Sequence, residues 1–239
     1  MKDTRSNPET KKLAGVQAAR LIQDGMLVGI GTGSTIAFLI KELGRRVREE
    51  GIRITGVPTS FQSRLSCNQL GIPVREMQDC AALDLALDGA DEVDPDLNVI
   101  KGGGGSQTRE KIVAAMAREF VVVVDESKLV ATLGAAFPIP VEVLPSGLAY
   151  VERAIRDLGA SPALRIATSG KDGPVVTDNG QFILDVRFPP GTDLRAADER
   201  MHRIPGVLET GLFLDLAGKV VVGGGSADGP AVRTLMRAK

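Results

Sequence analysis

The feature that most constrains the fold is a regular alternation of short aliphatic runs and amphipathic stretches through the first half of the chain. Residues 121–124 are four consecutive valines, a pattern typical of a strand that is covered on both faces. Residues 36–47 carry aliphatic side chains at three- and four-residue steps, which predicts a helix. Strand, loop and helix in this order predict an α/β fold with a doubly wound, mostly parallel sheet.

The same patterns place the predicted elements. Strands are expected at 26–30, 52–57, 83–87, 97–100 and 121–124, and a helix at 108–118. Thr32 or Ser34 is a candidate cap for the helix at 36–47, and Thr59 or Ser60 for a helix that ends at Gly71.

The alternation of predicted strands and helices is interrupted at Pro138, Pro140 and Pro145, which mark a candidate domain boundary. Beyond it, helices are predicted at 151–158 and 193–203, and a β-hairpin with strands 175–177 and 182–186 around the turn 178–180. These elements suggest a smaller α+β domain with an antiparallel sheet. We expect the chain then to return to the large domain through 220–225 and a helix after Asp228. The predicted domains are 1–136 with 209–239, and 137–208.

Charge and composition exclude several functional classes. Lys and Arg total 29 against 30 for Asp and Glu, so no broad positive charge favours nucleic acid or an anionic membrane. No apolar run approaches the roughly 20 residues that span a bilayer, and 1–7 lacks the apolar core of a signal peptide. The two cysteines form no CxxC pair. We therefore expect a soluble cytoplasmic protein.

The segment 29–35, Gly-Ile-Gly-Thr-Gly-Ser-Thr, lies where a strand is predicted to pass into a helix. Backbone N–H groups and the positive end of the helix dipole favour a phosphate at such a place. A tight turn with a cap is the alternative. A dinucleotide fingerprint would need a third glycine where Ser34 stands, and no GxxxxGK[ST] occurs. A small phosphate ester therefore fits better than a nucleotide.

Carboxylates follow the third predicted strand in the segment 88–92, Asp-Gly-Ala-Asp-Glu. Open α/β sheets bind ligands at this end of their strands, and these carboxylates can accept hydrogen bonds from sugar hydroxyls. A solvated turn is the alternative.

Asp94, Asp96 and Asn98 match the first ligand positions of a calcium loop, but Val99 and Gly105 occupy positions that need Gly and Glu. We expect no metal site.

Residues 101–105, Lys-Gly-Gly-Gly-Gly, favour a backbone that approaches a ligand closely, since four consecutive glycines are costly to order. A flexible linker is the alternative.

Glu110 follows in the first turn of a predicted helix, where a carboxylate partly removed from water can act as a general base. Lys128 lies just after the valine strand and could contact a phosphate or an oxyanion, or be an ordinary surface lysine. His202, the only histidine, is expected to have no catalytic role.

Five motifs occur in order: GIGTGST at 29–35, LDGADEV at 87–93, KGGGG at 101–105, TREK at 108–111 and DESK at 125–128. Together they resemble the ribose-5-phosphate isomerase family of the A type, over nearly the whole chain. One departure is Ser106-Gln107, where many relatives have small or apolar residues.

The resemblance implies a Rossmann-like α/β domain with a ferredoxin-like lid, usually in a homodimer or homotetramer. It implies the interconversion of ribose 5-phosphate and ribulose 5-phosphate through an enediol, without a cofactor. By position, Glu110 resembles the base, and Asp88 and Asp91 resemble the carboxylates that handle the sugar. The remaining substrate contacts implied by the resemblance are Thr32, Gly33, Ser34, Thr35, Gly89, Ala90, Lys101, Gly102, Gly103, Gly104, Lys128 and Lys11.

Two other functions remain as alternatives. A sugar-phosphate sensor on the same scaffold would bind phosphosugar without turnover and would not need Glu110. A nucleotide-dependent oxidoreductase would bind NAD or NADP, although its fingerprint already fails at Ser34.

Overall fold

The computed structural model describes residues 7–168, 170, 172–226 and 229–237. Within these ranges the α-helices are α1 (Pro8–Ala19), α2 (Ser34–Arg45), α3 (Phe61–Gln69), α4 (Gln107–Met116), α5 (Leu148–Asp157) and α6 (Leu194–His202). The strands are β1 (Leu27–Ile30), β2 (Thr55–Pro58), β3 (Leu85–Asp88), β4 (Glu92–Val93), β5 (Val99–Ile100), β6 (Phe120–Asp125), β7 (Ile139–Val143), β8 (Ser161–Leu164), β9 (Phe182–Arg187), β10 (Val207–Thr210), β11 (Leu212–Phe213), β12 (Lys219–Ser226) and β13 (Gly229–Met236).

The largest sheet has six strands in the order β13-β12-β6-β3-β1-β2. Every neighbouring pair is parallel except β12 with β13. All residues of the valine strand β6 are buried, because one hydrophobic cluster covers each face of the sheet. Residues of α1 and α2 belong to the first cluster, and residues of α4 to the second. The predicted doubly wound α/β sheet is thereby confirmed.

A second, antiparallel sheet has the order β10-β7-β9-β8. Its elements follow one another as strand, helix, strand, strand, helix, strand, which is the ferredoxin-like arrangement. Buried side chains of α5 and α6, including Val151 and Met201, pack with this sheet in a third hydrophobic cluster. The expected small α+β fold is confirmed. We propose that it forms a domain of residues 137–208, with 1–136 and 209–239 forming the other.

The short strands β4, β5 and β11 form a third sheet beside the second hydrophobic cluster. Its register pairs Glu92 with Ile100 and Ile100 with Leu212. The third sheet thus holds the segments after β3 and before α4 together, and both segments carry candidate site residues.

Three local predictions were wrong. Gly229–Met236 is a strand, where we expected a helix after Asp228, a residue outside the described ranges. Val232 packs on one face of the large sheet and Leu235 on the other, and this alternation is the period of a strand. The strand therefore closes the edge of the sheet as an antiparallel partner of β12.

The predicted hairpin has its turn at 178–180, but 175–177 is not a strand paired with β9. Strand β9 lies between β7 and β8 instead, because those longer segments offer complete ladders on both of its edges.

The cap of α2 was also assigned wrongly: Gly33 is the N-cap and no side chain caps the helix. The Thr32 hydroxyl faces Thr59 and Ser60. Ser60 caps α3 as predicted.

Candidate active site

The candidate site is a cavity of about 480 Å³ at the carboxyl ends of β1, β3 and β6. Open parallel sheets bind ligands at this end because the loops that follow the strands meet there. All of the predicted site residues except Asp88 line the cavity, and Gln62 and Val124 line it as well. The predicted residues in its wall are Lys11, Thr32, Gly33, Ser34, Thr35, Gly89, Ala90, Asp91, Lys101, Gly102, Gly103, Gly104, Glu110 and Lys128.

A buried ion cluster lies at the base of the cavity. The Lys101 ammonium is 3.0 Å from Asp88 Oδ2 and 3.1 Å from Glu110 Oε2, and it donates to the Gly89 carbonyl at 2.5 Å. The side chain of Lys101 is 3% exposed, that of Asp88 4% and that of Glu110 6%. One cation therefore faces two carboxylates away from bulk water, and the cluster has an excess of negative charge.

That imbalance sets the protonation of the cluster. Burial, and next the charge of Asp88, raise the pKa of Glu110 to about 8, although the Lys101 ammonium opposes the shift. Burial likewise raises the pKa of Asp88, against Lys101 and the N–H donors of Thr32 and Gly89. Burial alone would lower the pKa of Lys101, but the two carboxylates raise it above its ordinary value. A carboxyl group poised near neutral pH suits proton transfer.

Asp91 lies in the cavity wall beside the glycine loop, residues 102–105. Its Oδ2 accepts a hydrogen bond of 2.8 Å from the Gly103 N–H. Burial raises the pKa of Asp91, while this hydrogen bond and the charge of Lys101 oppose the rise. Gly102 has φ +103° and Gly105 has φ +78°, backbone angles that favour glycine. These two conformations explain part of the glycine run: they turn the loop toward Asp91.

Another part of the wall is the start of α2, together with the side chains of Lys11 and Lys128. Because no side chain caps α2, its first N–H groups are directed toward the cavity end of the helix without a cap acceptor. Lys11, from α1, donates to Ser34 Oγ at 3.2 Å and lies 3.7 Å from Asp125 Oδ2. Lys128 lines the same cavity. Helix N–H groups together with lysine ammonium groups suit a phosphate group.

Comparison with known proteins agrees with this geometry. A family model described as ribose 5-phosphate isomerase A (phosphoriboisomerase A) matches residues 55–227. Ribose-5-phosphate isomerase A of Thermosynechococcus vestitus is 50% identical over 228 residues, which are 95% of this chain and 96% of that protein. The chain belongs to the ribose-5-phosphate isomerase A family. The expected family is confirmed, and with it an enzyme of the aldose–ketose isomerase class.

Solved structures of ribose-5-phosphate isomerases share the whole fold. The enzyme from Methanocaldococcus jannaschii is 46% identical, with a TM-score of 0.89, over 97% of this chain and 100% of that chain. A D-ribose-5-phosphate isomerase in complex with phospho-erythronic acid is 42% identical, with a TM-score of 0.90, over 97% of this chain and 100% of that one. Both structures therefore cover the cavity and the ferredoxin-like sheet together.

Several residues around the cavity carry no recognisable signal in the sequence. Arg165 donates to the Gly102 carbonyl at 2.8 Å. Glu142, which is completely buried, accepts hydrogen bonds from Thr108 at the start of α4 and from Thr177 and Asn179. Contacts between segments so distant in sequence can be found only after folding. Glu142 lies in β7, a strand that the sequence patterns did not predict.

Two carboxylates near the site have structural partners instead of facing the cavity. Glu92 accepts hydrogen bonds from the N–H groups of Gly134, Ala136 and Phe137, so it organises that loop. Asp94 accepts bonds from the backbone and side chain of Asn98, in the segment that superficially resembles a calcium loop. Across the described residues, no three His, Cys, Asp or Glu side chains are grouped as metal ligands. Nor does any helix in those ranges have the length and apolarity needed to cross a membrane.

Proposed function

We propose that this isomerase interconverts ribose 5-phosphate and ribulose 5-phosphate through an enediol, with Glu110 as the base that moves the proton. The observation that carries the proposal is the position of Glu110, a buried carboxyl group in the wall of the cavity with a pKa raised to about 8. The names of the relatives support the substrate, and the phospho-erythronic acid complex of one of them supports a phosphorylated ligand.

The phosphate binds at the start of α2. Uncapped N–H groups of the first helical turn and the Lys11 ammonium provide donors for phosphate oxygens, and Lys128 adds a further charge in the wall. Anchoring the phosphate holds C1 and C2 of the sugar at a fixed distance along the cavity, so that binding energy from the remote group serves the reaction.

Glu110 removes the proton from C2 of the aldose and returns it to C1, while the proton of the 2-hydroxyl moves to O1. A single carboxylate can serve both carbons because they are neighbours. A positioned base of this kind contributes about 10²–10⁴-fold in rate. Lys101 stabilises the ionised form of Glu110 without donating to the sugar, since its ammonium already contacts Gly89, Asp88 and Glu110.

The developing enediolate needs donors that are not already used. Within the glycine loop, the Gly103 N–H donates to Asp91 and the Gly105 N–H donates to the Gly102 carbonyl. Gly104 lies in the cavity wall between them, and we assign its N–H to the enediolate oxygens.

Ring opening requires a group that exchanges a proton with the anomeric hydroxyl and the ring oxygen. Asp91 faces the cavity, whereas Asp88 lies behind its wall and accepts bonds from the N–H groups of Thr32 and Gly89. We therefore assign ring opening to Asp91. Asp88 instead holds two groups in place: the loop backbone at Thr32, through its N–H, and the Lys101 ammonium.

The reaction is tested by incubating chelator-treated enzyme with ribose 5-phosphate and following ribulose 5-phosphate. Turnover unchanged by the chelator is expected. No ribulose 5-phosphate, or turnover that returns only when a metal is restored, would contradict the proposal. Ribose without phosphate is the matched control and is expected to react far more slowly.

We also propose that the enzyme is a cytoplasmic homodimer or homotetramer. Phe61 and Leu65, one helical turn apart on α3, are 53% and 60% exposed, which supports contact with another apolar surface. Light scattering of the purified enzyme is expected to give two or four times the chain mass of 25.2 kDa.

A further inference from the structure

We propose that Arg165 is a positioning residue for the reaction: it fixes the Gly102–Gly103 peptide from the ferredoxin-like sheet, and that peptide in turn fixes Asp91. The inference deepens the proposed isomerase function and rests on it for its kinetic part. Its structural part depends only on contacts among described residues.

The Arg165 guanidinium has partners on both of its sides. Nε and Nη2 donate to the two carboxylate oxygens of Asp185 in β9, at 2.9 and 2.5 Å. Nη1 donates to the Gly102 carbonyl at 2.8 Å and lies 3.3 Å from the Gly103 carbonyl. The side chain is 14% exposed. A two-point pair with a carboxylate defines the plane of the guanidinium, so Asp185 directs the remaining nitrogen toward the glycine loop.

The backbone of Arg165 is fixed as well. Its N–H donates to the Ile183 carbonyl and its own carbonyl accepts from the Val175 N–H, both at 2.9 Å. Ile183 also approaches the loop directly, because a Cβ placed on Gly105 would lie 3.0 Å from Ile183 Cδ1. The antiparallel sheet therefore presents Arg165 to the glycine loop from a rigid support.

The decisive feature is that one peptide group is held at both ends. The carbonyl of the Gly102–Gly103 peptide accepts from Arg165, and the N–H of the same peptide donates to Asp91 Oδ2. The Gly102 carbonyl also accepts from the Gly105 N–H, but that bond lies within the glycine run, where backbone freedom is greater than for any other residue. With both ends bonded, the peptide plane cannot turn without breaking a hydrogen bond to a charged group.

Two consequences follow for catalysis. The Asp91 carboxylate keeps one orientation toward the sugar, and Gly104, the next residue in the loop, keeps its place in the cavity wall. The positive charge of Arg165 also acts against the rise in the pKa of Asp91 that burial causes. An arginine is required because a lysine ammonium cannot bond in two places to Asp185 while it reaches the loop in the same plane.

The test compares Arg165→Met and Arg165→Lys with the wild-type enzyme. Because a displacement of about 1 Å at a reacting group can cost roughly 100-fold, Arg165→Met is expected to lower kcat by about 10- to 100-fold. KM is expected to change less than kcat, since the phosphate contacts are at the start of α2. Arg165→Lys is expected to recover only a small part of kcat.

The second measurement is the exchange of the Gly103 amide hydrogen with solvent, followed by NMR on enzyme labelled with ¹⁵N-glycine. Loss of Arg165 is expected to accelerate exchange about 10-fold, as local opening becomes easier. Arg156→Met is the matched control. Arg156 pairs with Glu152 on the exposed side of helix α5, which packs on the same antiparallel sheet. This variant is expected to leave both measurements unchanged.

Wild-type kcat together with wild-type Gly103 exchange in Arg165→Met would overturn the inference. If Arg165→Met does not fold, the same two measurements on Arg165→Lys decide the question by the same criteria. Failure of the isomerase proposal would be seen separately, as absence of turnover in the wild-type enzyme, and the Gly103 exchange would still test the contact.

Discussion

Replacing Lys101 with methionine tests most clearly how the buried ion cluster contributes to the free energy of unfolding. Methionine is long and apolar enough to occupy much of the space, so the change removes chiefly the charge. Asp88 and Glu110, which lie 3.0 and 3.1 Å from the ammonium and are almost fully buried, would then lack their common cation. Removing one partner of a buried ion pair costs about 3–5 kcal/mol, and we expect a loss of this size in the free energy of unfolding at pH about 9.

The loss is expected to depend on pH in a definite direction. Asp88 and Glu110 already have raised pKa values in the folded enzyme, to about 8 for Glu110, and without Lys101 both rise further. A carboxyl group with a raised pKa in the folded state destabilises that state above the raised pKa. The penalty disappears as the pH falls through that value toward the ordinary one. The variant should therefore recover much of its stability at pH about 5.

Urea unfolding of both proteins at pH about 5, 7 and 9 measures this effect. Lys219→Met is the control, because Lys219 forms a more exposed pair with Glu119 and should cost about 1 kcal/mol or less. A loss below about 1 kcal/mol at pH 9 for Lys101→Met, or one that does not shrink at low pH, would refute the electrostatic account of the cluster.

Three further predictions concern single features of the site. Gln107 is completely buried and neither polar atom of its side chain has a hydrogen-bond partner among the described residues, so Gln107→Leu should raise the free energy of unfolding by about 1–3 kcal/mol. Urea unfolding checks it, and a destabilised variant would contradict it. Because burial and Asp88 raise the pKa of Glu110 to about 8, kcat/KM should rise with pH through an apparent pKa near that value; a profile that is flat from pH about 6.5 to 9 would be inconsistent with this base. Lys11→Met should raise KM for ribose 5-phosphate by about 10-fold, from loss of one charged hydrogen bond, with kcat changed less; an unaltered KM in steady-state assays would remove Lys11 from the phosphate site.

Patterns local in sequence predicted the large sheet and the lining of the cavity. The valine strand at 121–124 has no polar face, so it had to be covered on both sides, as β6 is. Parallel strands bring their carboxyl ends to one edge, so the motifs after β1 and β3 had to meet there. Glu110 follows the glycine loop by one helical turn, and this short separation carries it into the same wall.

Features that depend on pairing between distant segments could not be predicted in this way. The C-terminal strand β13 is explained by its partner β12 and by two hydrophobic clusters, none of which is visible in its own composition. Arg165 reaches Gly102 across 63 residues of sequence. The positions of Asp88 and Asp91 could not be separated from a motif alone, because only the fold leaves Asp88 out of the cavity lining and puts Asp91 in it.

The central claim is that the Glu110 carboxylate moves the proton between the first two carbons of the sugar. Its most direct test is the uptake of deuterium at C2 of ribose 5-phosphate recovered from enzyme in D₂O, compared between wild type and Glu110→Gln. The wild-type enzyme should label C2 as it turns over, and the amide variant, which cannot accept the proton, should label it at least about 100-fold more slowly. Labelling by Glu110→Gln at a rate close to that of the wild type would contradict the account.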